Sequence, residues 1–253
     1  ILVRGQGSNF VQEIKYIITH PRKIVGIILS AIFLNMNWGI YIWAVNQNHV
    51  IDASLGYYIN PLVSVLLGML VLKERLNKWQ YVAFLMALLG VLNLTLHQGS
   101  VPWIALALAI TFGLYGLLKK MVGAGALTGL TLETLIMVLP ALAYVATIQH
   151  AGVGAFSFAS PETAALLAGA GVVTGVPLLL FSSGALRLSL SVVGFLQYIS
   201  PTLSLLLGIY LYHEPFTRTH LLSFLLIWAA LIVFTWAQSR GLRKQTKGSK
   251  QLA

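Results

Sequence analysis

Residues 55–68 read LGYYINPLVSVLLG and residues 195–208 read FLQYISPTLSLLLG, and the two stretches align without a gap at an offset of 140 residues. Each has a proline near its middle and a glycine at its end, and Glu74, six residues beyond the first stretch, aligns with Glu214. Neither stretch alternates polar and apolar residues as a barrel strand would. The duplication therefore predicts two copies of one helical unit.

The composition places these helices in a membrane. Of the 253 residues, 58% are hydrophobic and 9% are charged, against about 25% charged in an average globular protein. This excludes a soluble globule, and apolar runs of about 20 residues are long enough to span a bilayer as helices. The sequence predicts an all-α membrane protein with eight spans, at residues 24–45, 51–72, 77–97, 102–118, 127–148, 162–184, 190–211 and 218–237. The tail after Arg240 is expected to be disordered.

Lysine and arginine are unequally divided between alternate connections. If every segment spans, fifteen of these residues lie on one side of the membrane and Arg218 alone lies on the other. The positive-inside rule then places both chain ends, including the C-terminus, in the cytoplasm. The net charge of +10 would also suit nucleic acid, but a nucleic-acid surface would not follow this alternation, so the expected partner is the lipid bilayer and not nucleic acid.

The repeat also predicts the domain organisation. An offset of 140 residues displaces the spans by five, and an odd displacement inverts the second copy across the bilayer, as in many transporters. Residues 1–100 are predicted to be the last three helices of an N-terminal five-helix repeat, residues 101–240 a complete C-terminal repeat, and residues 241–253 a basic cytoplasmic tail. The first two of ten helices are then expected to be missing from this chain, with residues 1–3 as the end of the second.

Several separated motifs resemble one family. They are NWGIYIWAVN at residues 37–46, GYYINP at 56–61, KERL at 73–76, FGLYG at 112–116, LTGLTLET at 127–134 and GFLQYISP at 194–201. Together they resemble the RarD proteins of the EamA group in the drug/metabolite transporter superfamily. The resemblance implies ten helices in two inverted five-helix repeats, a bacterial inner membrane, and export of metabolites or drugs.

Two polar stripes occupy matching positions on the repeated helices. Listed by copy, they are Tyr57, Asn60 and Ser64, and Gln197, Ser200 and Ser204. Residues at i, i+3 and i+7 share a helix face. Because polar groups are costly against lipid, both stripes are predicted to face the bundle interior and to bind substrate. The alternative is that they hold helices together or satisfy carbonyls freed by proline.

Further site candidates flank these stripes. Pro61 and Pro201 lie near mid-span in both copies, and because proline removes a backbone donor they are predicted to break the helices where transporters bind ligands. Asn37 and Tyr41, one turn apart, are predicted to contact substrate as well, and a purely structural role for them is equally open.

Glu133 is the one acid of six that falls well inside a predicted span, about 9 Å from its end. An acid at this depth is a candidate for proton coupling. The alternative is that Glu133 is favoured by the helix dipole and hydrogen-bonded locally beside Thr131 and Thr134. The chain has no cysteine, and its histidines lack the spacing of a metal-binding helix, so neither a metal nor a cofactor is expected.

These observations predict a permease or exporter of a small metabolite or drug-like solute, working by alternating access between two inverted repeats. Protons are the candidate coupling ion, and no oligomer is required. A membrane scaffold or lipid-handling protein is the alternative. An intramembrane enzyme is the least favoured class, because no nucleophile motif and no pair of buried acids is present.

Overall fold

The computed structural model describes residues 7–96, 102–152, 161–210 and 217–251, and these ranges are helical throughout apart from short turns. The helices are α1 (Gly7–Thr19), α2 (Pro21–Asn46), α3 (Val50–Leu70), α4 (Lys78–Leu96), α5 (Trp103–Val122), α6 (Ala126–His150), α7 (Pro161–Arg187), α8 (Leu190–Gln197), α9 (Ile199–Tyr210) and α10 (Arg218–Gln251). In these ranges, seven helices are long and apolar enough to cross a membrane. The prediction of an all-helical membrane protein is confirmed.

The seven spanning helices are α2 to α7 and α10, and they match seven of the predicted spans to within a few residues. Their outer surfaces are apolar. In α7, no residue of the most apolar stretch is buried within the protein, and Val173 is 75% exposed. Such a surface is stable only against hydrocarbon, because water would have to solvate a large apolar area.

The predicted span at residues 190–211 is interrupted. The helix ends at Gln197 and resumes at Ile199, and Tyr198 between them has ψ of −13°. Pro201 explains the interruption, since its ring removes a donor and clashes with the carbonyl four residues earlier, that of Gln197. The predicted helix break of the second copy is therefore centred three residues before its proline.

The helix break predicted at Pro61 is wrong, because α3 runs through this proline without interruption. Close packing supports the helix here. A Cβ atom on Gly194 would lie 2.8 Å from the carbonyl oxygen of Pro61, so α8 lies directly against the backbone of α3 at this level. Tertiary packing of this kind often outweighs one lost helical hydrogen bond.

Two further corrections concern the chain ends. Residues beyond Arg240, expected to be disordered, continue α10 as far as Gln251. Lysine, arginine and glutamine are good helix formers, and extending an existing helix avoids the cost of nucleation. At the other end, α1 was not anticipated. It is too short to span a bilayer, and it buries Ile17 against Ile27 and Leu132. The end of a missing span, expected at residues 1–3, lies outside the described residues.

The chain divides into two compact units. The first comprises Ile1–Asn35 and Tyr115–Leu188, and the second comprises Met36–Leu114 and Ser189–Ala253. In the first, Glu13 of α1 accepts hydrogen bonds from Gly125 N (2.6 Å) and Thr128 Oγ1 (2.5 Å) and so caps α6. The core of the second unit includes the stacked rings of Phe195 and Phe234, with centroids 3.8 Å apart.

The second unit is built on two antiparallel helix pairs. In the pair α4 and α10, Gln80 Nε2 donates to Gln238 Oε1 (2.8 Å) at one end, and Asn93 Nδ2 donates to Ser223 Oγ (2.8 Å) towards the other. In the pair α3 and α8, glycines on both helices allow close approach. These pairs position the polar groups described next.

Candidate functional site

The side chains of Asn60 on α3 and Gln197 at the end of α8 meet in the second unit. Asn60 Nδ2 donates to Gln197 Oε1 at 2.6 Å, and Asn60 is only 7% exposed. The remaining acceptor of the pair, Asn60 Oδ1, and the remaining donor, Gln197 Nε2, are buried without a hydrogen-bond partner among the described residues. A buried unsatisfied pair of this kind is uncommon and calls for a ligand, a water or a conformational change.

Small residues bring the two helices together. A Cβ atom on Gly194 would lie 3.1 Å from Ser64 Cβ, and one on Gly68 would lie 3.0 Å from Ser191 Oγ. Any larger side chain at either glycine would therefore push α8 away from α3. This approach explains why Asn60 reaches Gln197, and why Ser64 is only 1% exposed.

Glu74 fixes the start of α8. Its carboxylate accepts hydrogen bonds from Leu190 N (2.6 Å), Ser191 N (2.9 Å) and Ser191 Oγ (2.6 Å). A carboxylate at a helix N-terminus satisfies free backbone donors and interacts favourably with the helix dipole. This role could not be predicted from the sequence, because the helix that Glu74 caps begins 116 residues later.

The remaining members of the polar stripes are placed differently. Tyr57 is 45% exposed and Ser200 is also exposed, whereas Asn60 and Ser64 are buried. The side chain of Ser204 lies outside the described residues. The structure therefore brings together Asn60, Ser64 and Gln197, and it leaves Tyr57 and Ser200 at surfaces where solute, water or lipid can reach them.

Asn37 and Tyr41 of α2 belong to the same unit. Asn37 Nδ2 donates to Leu108 O (2.8 Å) and to Thr111 Oγ1 (2.9 Å), so it ties α2 to α5. The ring of Tyr41 packs edge-on against that of Tyr57, with centroids 6.1 Å apart. Trp38, with its centroid 6.2 Å from Tyr41, extends this aromatic row. The row contains three aromatic rings, packed edge to face and ending at Tyr57 of the α3 stripe.

The first unit contains a buried ion pair. Lys119 Nζ lies 3.0 Å from Glu133 Oε2, and the two side chains are 4% and 3% exposed. Ser30 Oγ donates to the other carboxylate oxygen at 2.5 Å. Thr134 donates to the carbonyl of Leu130 and not to Glu133. The partners of Glu133 therefore come from α2 and α5, whereas the alternative interpretation had placed them locally, beside Thr131 and Thr134.

Lys119 was not among the site residues predicted from the sequence, since it lies just beyond the end of the predicted span at residues 102–118. Two features of its surroundings explain its burial. A Cβ atom on Gly129 would lie 3.1 Å from Lys119 Nζ, so glycine leaves room for the ammonium group. The ring of Tyr115 lies 5.5 Å from Nζ, within cation–π distance. The i, i+4 spacing of Tyr115 and Lys119 was the available signal.

Apolar helices long enough to cross a bilayer, with amide and ionic groups buried between them, define a multi-pass membrane protein. The model of the EamA-like transporter family matches residues 9–96, which contain α2 to α4 and most of α1. The uncharacterized transporter YojE of Bacillus subtilis is 50% identical over 220 residues, covering 87% of this chain and 73% of that protein. Protein RarD of Streptomyces exfoliatus is 43% identical over 231 residues, covering 91% and 73%.

The chain therefore belongs to the RarD proteins of the EamA group in the drug/metabolite transporter superfamily. A protein of known crystal structure shares the fold, with a TM-score of 0.64 at 19% identity over 85% of this chain and 78% of that chain. The matching family and the relative YojE are both named as transporters.

Proposed function

We propose that this protein is a permease of the bacterial inner membrane that exports a small neutral metabolite or drug-like solute by alternating access between two inverted repeats. The observation that carries the proposal is the buried pair of Asn60 and Gln197, with one acceptor and one donor unused. The residues proposed to contact the solute are Asn37, Tyr41, Tyr57, Asn60, Ser64, Gln197, Ser200 and Ser204.

The chemistry of the pair supports a neutral, hydrogen-bonding solute. Leaving a buried donor or acceptor unsatisfied costs about 1–3 kcal/mol. A solute that offers one donor and one acceptor would recover that free energy, as would the opening of the helix pair to water. The polar stripes contain amides and hydroxyls and no ionised group, so they offer no counter-charge for an anion or a cation. The aromatic row of Trp38, Tyr41 and Tyr57 suits a planar apolar portion of the solute.

The helix pairing in the second unit supports the inverted repeat. Under the 140-residue offset, α3 corresponds to α8 and α9, and α4 corresponds to α10. Each helix thus packs antiparallel against its own counterpart, as a two-fold axis in the membrane plane requires. The same offset relates Asn60 to Ser200 and Gln197 to Tyr57, so the paired amides and these two exposed stripe residues occupy symmetry-related positions. Because each helix packs against its counterpart, we propose that one repeat lies within residues 1–100 and the other within residues 101–240.

The same contacts support a cytoplasmic C-terminus. The link between Glu74 and Ser191 and the link between Gln80 and Gln238 involve connections that carry most of the basic residues. Asn93, which donates to Ser223 near the start of α10, belongs to the opposite, nearly uncharged end. The contacts therefore group the helix ends in the same way as the charge asymmetry does, which supports the proposed orientation.

Glu133 is proposed to couple transport to protons through its pair with Lys119. A proton on Glu133 would remove the negative charge that compensates the buried ammonium group, and an uncompensated buried charge is strongly unfavourable. Proton binding would therefore favour a rearrangement that brings Lys119 to water and loosens α5 from α6. The ion pair and the proton compete for the same carboxylate.

Cysteine accessibility tests the site directly, because the chain has no native cysteine. Single cysteines at Asn60 and Ser200 should react with a water-soluble methanethiosulfonate reagent, and transported solute should slow the reaction. Leu66→Cys is the matched control for Asn60, because Leu66 lies on an exposed apolar face of the same helix, α3. This cysteine should react only with lipid-soluble reagents. Failure of both test positions to react with the water-soluble reagent would exclude the cavity. Absence of solute flux in proteoliposomes would favour a scaffold or lipid-handling role.

A further inference from the structure

The last turns of the membrane-spanning part of α10 form a surface groove of about 580 Å³, lined by Leu231, Ile232, Thr235, Trp236, Ser239 and Arg240. These residues lie at i, i+1, i+4, i+5, i+8 and i+9 along one helix face. The groove opens outward, and Ile232 is 70% exposed. The apolar stretch of α10 ends at Arg240. The C-terminal end of the groove therefore lies at the level of the lipid headgroups.

The chemistry of the groove changes in one direction along the helix. Leu231 and Ile232 provide an apolar end, Thr235 and Ser239 provide hydroxyl groups, and Arg240 provides a cation at the membrane surface. At 1.5 Å per residue, the distance from Leu231 to Arg240 is about 14 Å. A phospholipid changes from acyl chain to ester to phosphate over a comparable length. We propose that this groove binds an anionic phospholipid, with the acyl chain along Ile232 and the phosphate at Arg240.

The cation is held in place by aromatic rings. The Arg240 guanidinium lies 4.0 Å from the centroid of the Trp236 ring, and the Trp79 ring packs edge-on against Trp236 at 5.3 Å. Stacking of this kind orients a guanidinium group while leaving its N–H donors available for phosphate oxygens. Tryptophan at this depth is also typical of the membrane interface.

Charge selects an anionic headgroup over a zwitterionic one. Neither α4 nor α10 contains an acidic residue, and in the part of the chain that the structure describes no carboxylate lies within ion-pair distance of Arg240. Beyond Arg240 the helix sequence contains Arg243, Lys244, Lys247 and Lys250. Basic clusters directly following a membrane span attract anionic lipid.

Competition between two lipids tests the proposal. Native mass spectrometry of the purified chain in an equimolar mixture of dioleoyl phosphatidylglycerol and dioleoyl phosphatidylcholine should show preferential retention of phosphatidylglycerol. Arg240→Gln should reduce the ratio of the two bound lipids about fivefold, which corresponds to roughly 1 kcal/mol per basic residue near an anionic surface. Arg218→Gln, at the opposite end of the same helix, is the matched control and should leave the ratio unchanged.

Two further arms make the result decisive. Ser239→Glu keeps Arg240 but adds a negative charge inside the groove, and it should lower phosphatidylglycerol binding at least as much as Arg240→Gln. Glycerol phosphate, which has the headgroup without acyl chains, should not displace the lipid. A ratio in Arg240→Gln and Ser239→Glu equal to that in Arg218→Gln would overturn the proposal, and displacement by glycerol phosphate at an equal concentration would show a site for free phosphate instead.

Discussion

Lys119 and Glu133 form an ion pair with 3.0 Å between Nζ and Oε2 in a setting where neither side chain is more than 4% exposed. The pair joins α5 to α6, and Ser30 extends it to α2 through a hydrogen bond of 2.5 Å. Segments of three helices, all within the first unit, therefore meet at one carboxylate. Removing either charge leaves the other without compensation, and this makes the pair a sensitive point for stability.

Lys119→Met should lower the free energy of unfolding by about 3–5 kcal/mol, because it leaves the Glu133 carboxylate buried and unpaired. The double variant Lys119→Met with Glu133→Gln should recover most of this loss. Lys120→Met is the matched control, since Lys120 donates to backbone carbonyls of Ala185 and Leu188, and its loss should cost about 1 kcal/mol. Urea unfolding in detergent measures all three, and a double variant no better than Lys119→Met would refute the pairing.

Glu133→Gln should abolish solute accumulation driven by a pH gradient and should preserve equilibrium exchange of solute, because glutamine retains the shape and hydrogen-bonding capacity but cannot titrate. The measurement is solute flux in proteoliposomes with and without an imposed gradient. Glu162→Gln, which changes an exposed acid in the first turn of α7, should behave as the wild type. Accumulation at the wild-type level in Glu133→Gln would disprove coupling through this residue.

Gly194→Ala should lower the free energy of unfolding by about 1–3 kcal/mol, since the added Cβ would lie 2.8 Å from Pro61 O and force α8 away from α3. The displacement should also break the hydrogen bond between Asn60 and Gln197 and reduce transport. Gly39→Ala is the matched control, because among the described residues no atom beyond its chain neighbours and its own helix backbone lies within 4 Å of the Cβ position. Alanine in a helix should be neutral or stabilising by up to about 1 kcal/mol. Thermal unfolding and flux assays compare the two.

Glu74→Gln should destabilise the start of α8 by about 1–2 kcal/mol, because a neutral amide makes weaker hydrogen bonds to the backbone donors of Leu190 and Ser191 than a carboxylate does. Hydrogen exchange at these two amides is the appropriate measurement. Their exchange should accelerate about tenfold in the variant while the amides of α4 remain protected. Unchanged exchange at both positions would show that the carboxylate does not hold this helix end.

The spanning helices could be predicted from the sequence because each one is a long apolar run, and hydrocarbon leaves a backbone few alternatives to the helix. Membrane insertion does not depend on which residues contact one another across the bundle, so the partners of individual polar groups were harder to predict from the sequence. Glu133 was predicted as the one acid well inside a span, whereas its partner Lys119 lies just beyond the predicted span at residues 102–118 and was not predicted to be buried. The distinction between two neighbouring lysines is made by the tertiary structure, through Gly129 and Tyr115.

The breaks and ends of helices were the other weak point. Two prolines at equivalent positions were expected to act alike, yet α3 passes Pro61 intact and the second copy is interrupted at Tyr198. The local sequence differs little, so the outcome depends on what packs against each proline. Similarly, α1 has the spacing of Phe10, Ile14 and Ile17 expected of an amphipathic helix, but its role in capping α6 through Glu13 requires a contact over more than a hundred residues.

The interruption at Tyr198 makes the two copies mechanically unequal. α3 is a single rod of 21 residues, about 32 Å long, whereas its counterpart consists of rods of 8 and 12 residues, about 12 Å and 18 Å long. Two short rods joined end to end can change the angle between them without breaking internal hydrogen bonds, and a single rod cannot. The first copy of the duplicated sequence therefore contains one continuous helix, which carries Asn60, and the second contains a hinge, with Gln197 beside it. Bending at this hinge would at the same time expose the unused hydrogen-bonding atoms of Asn60 and Gln197.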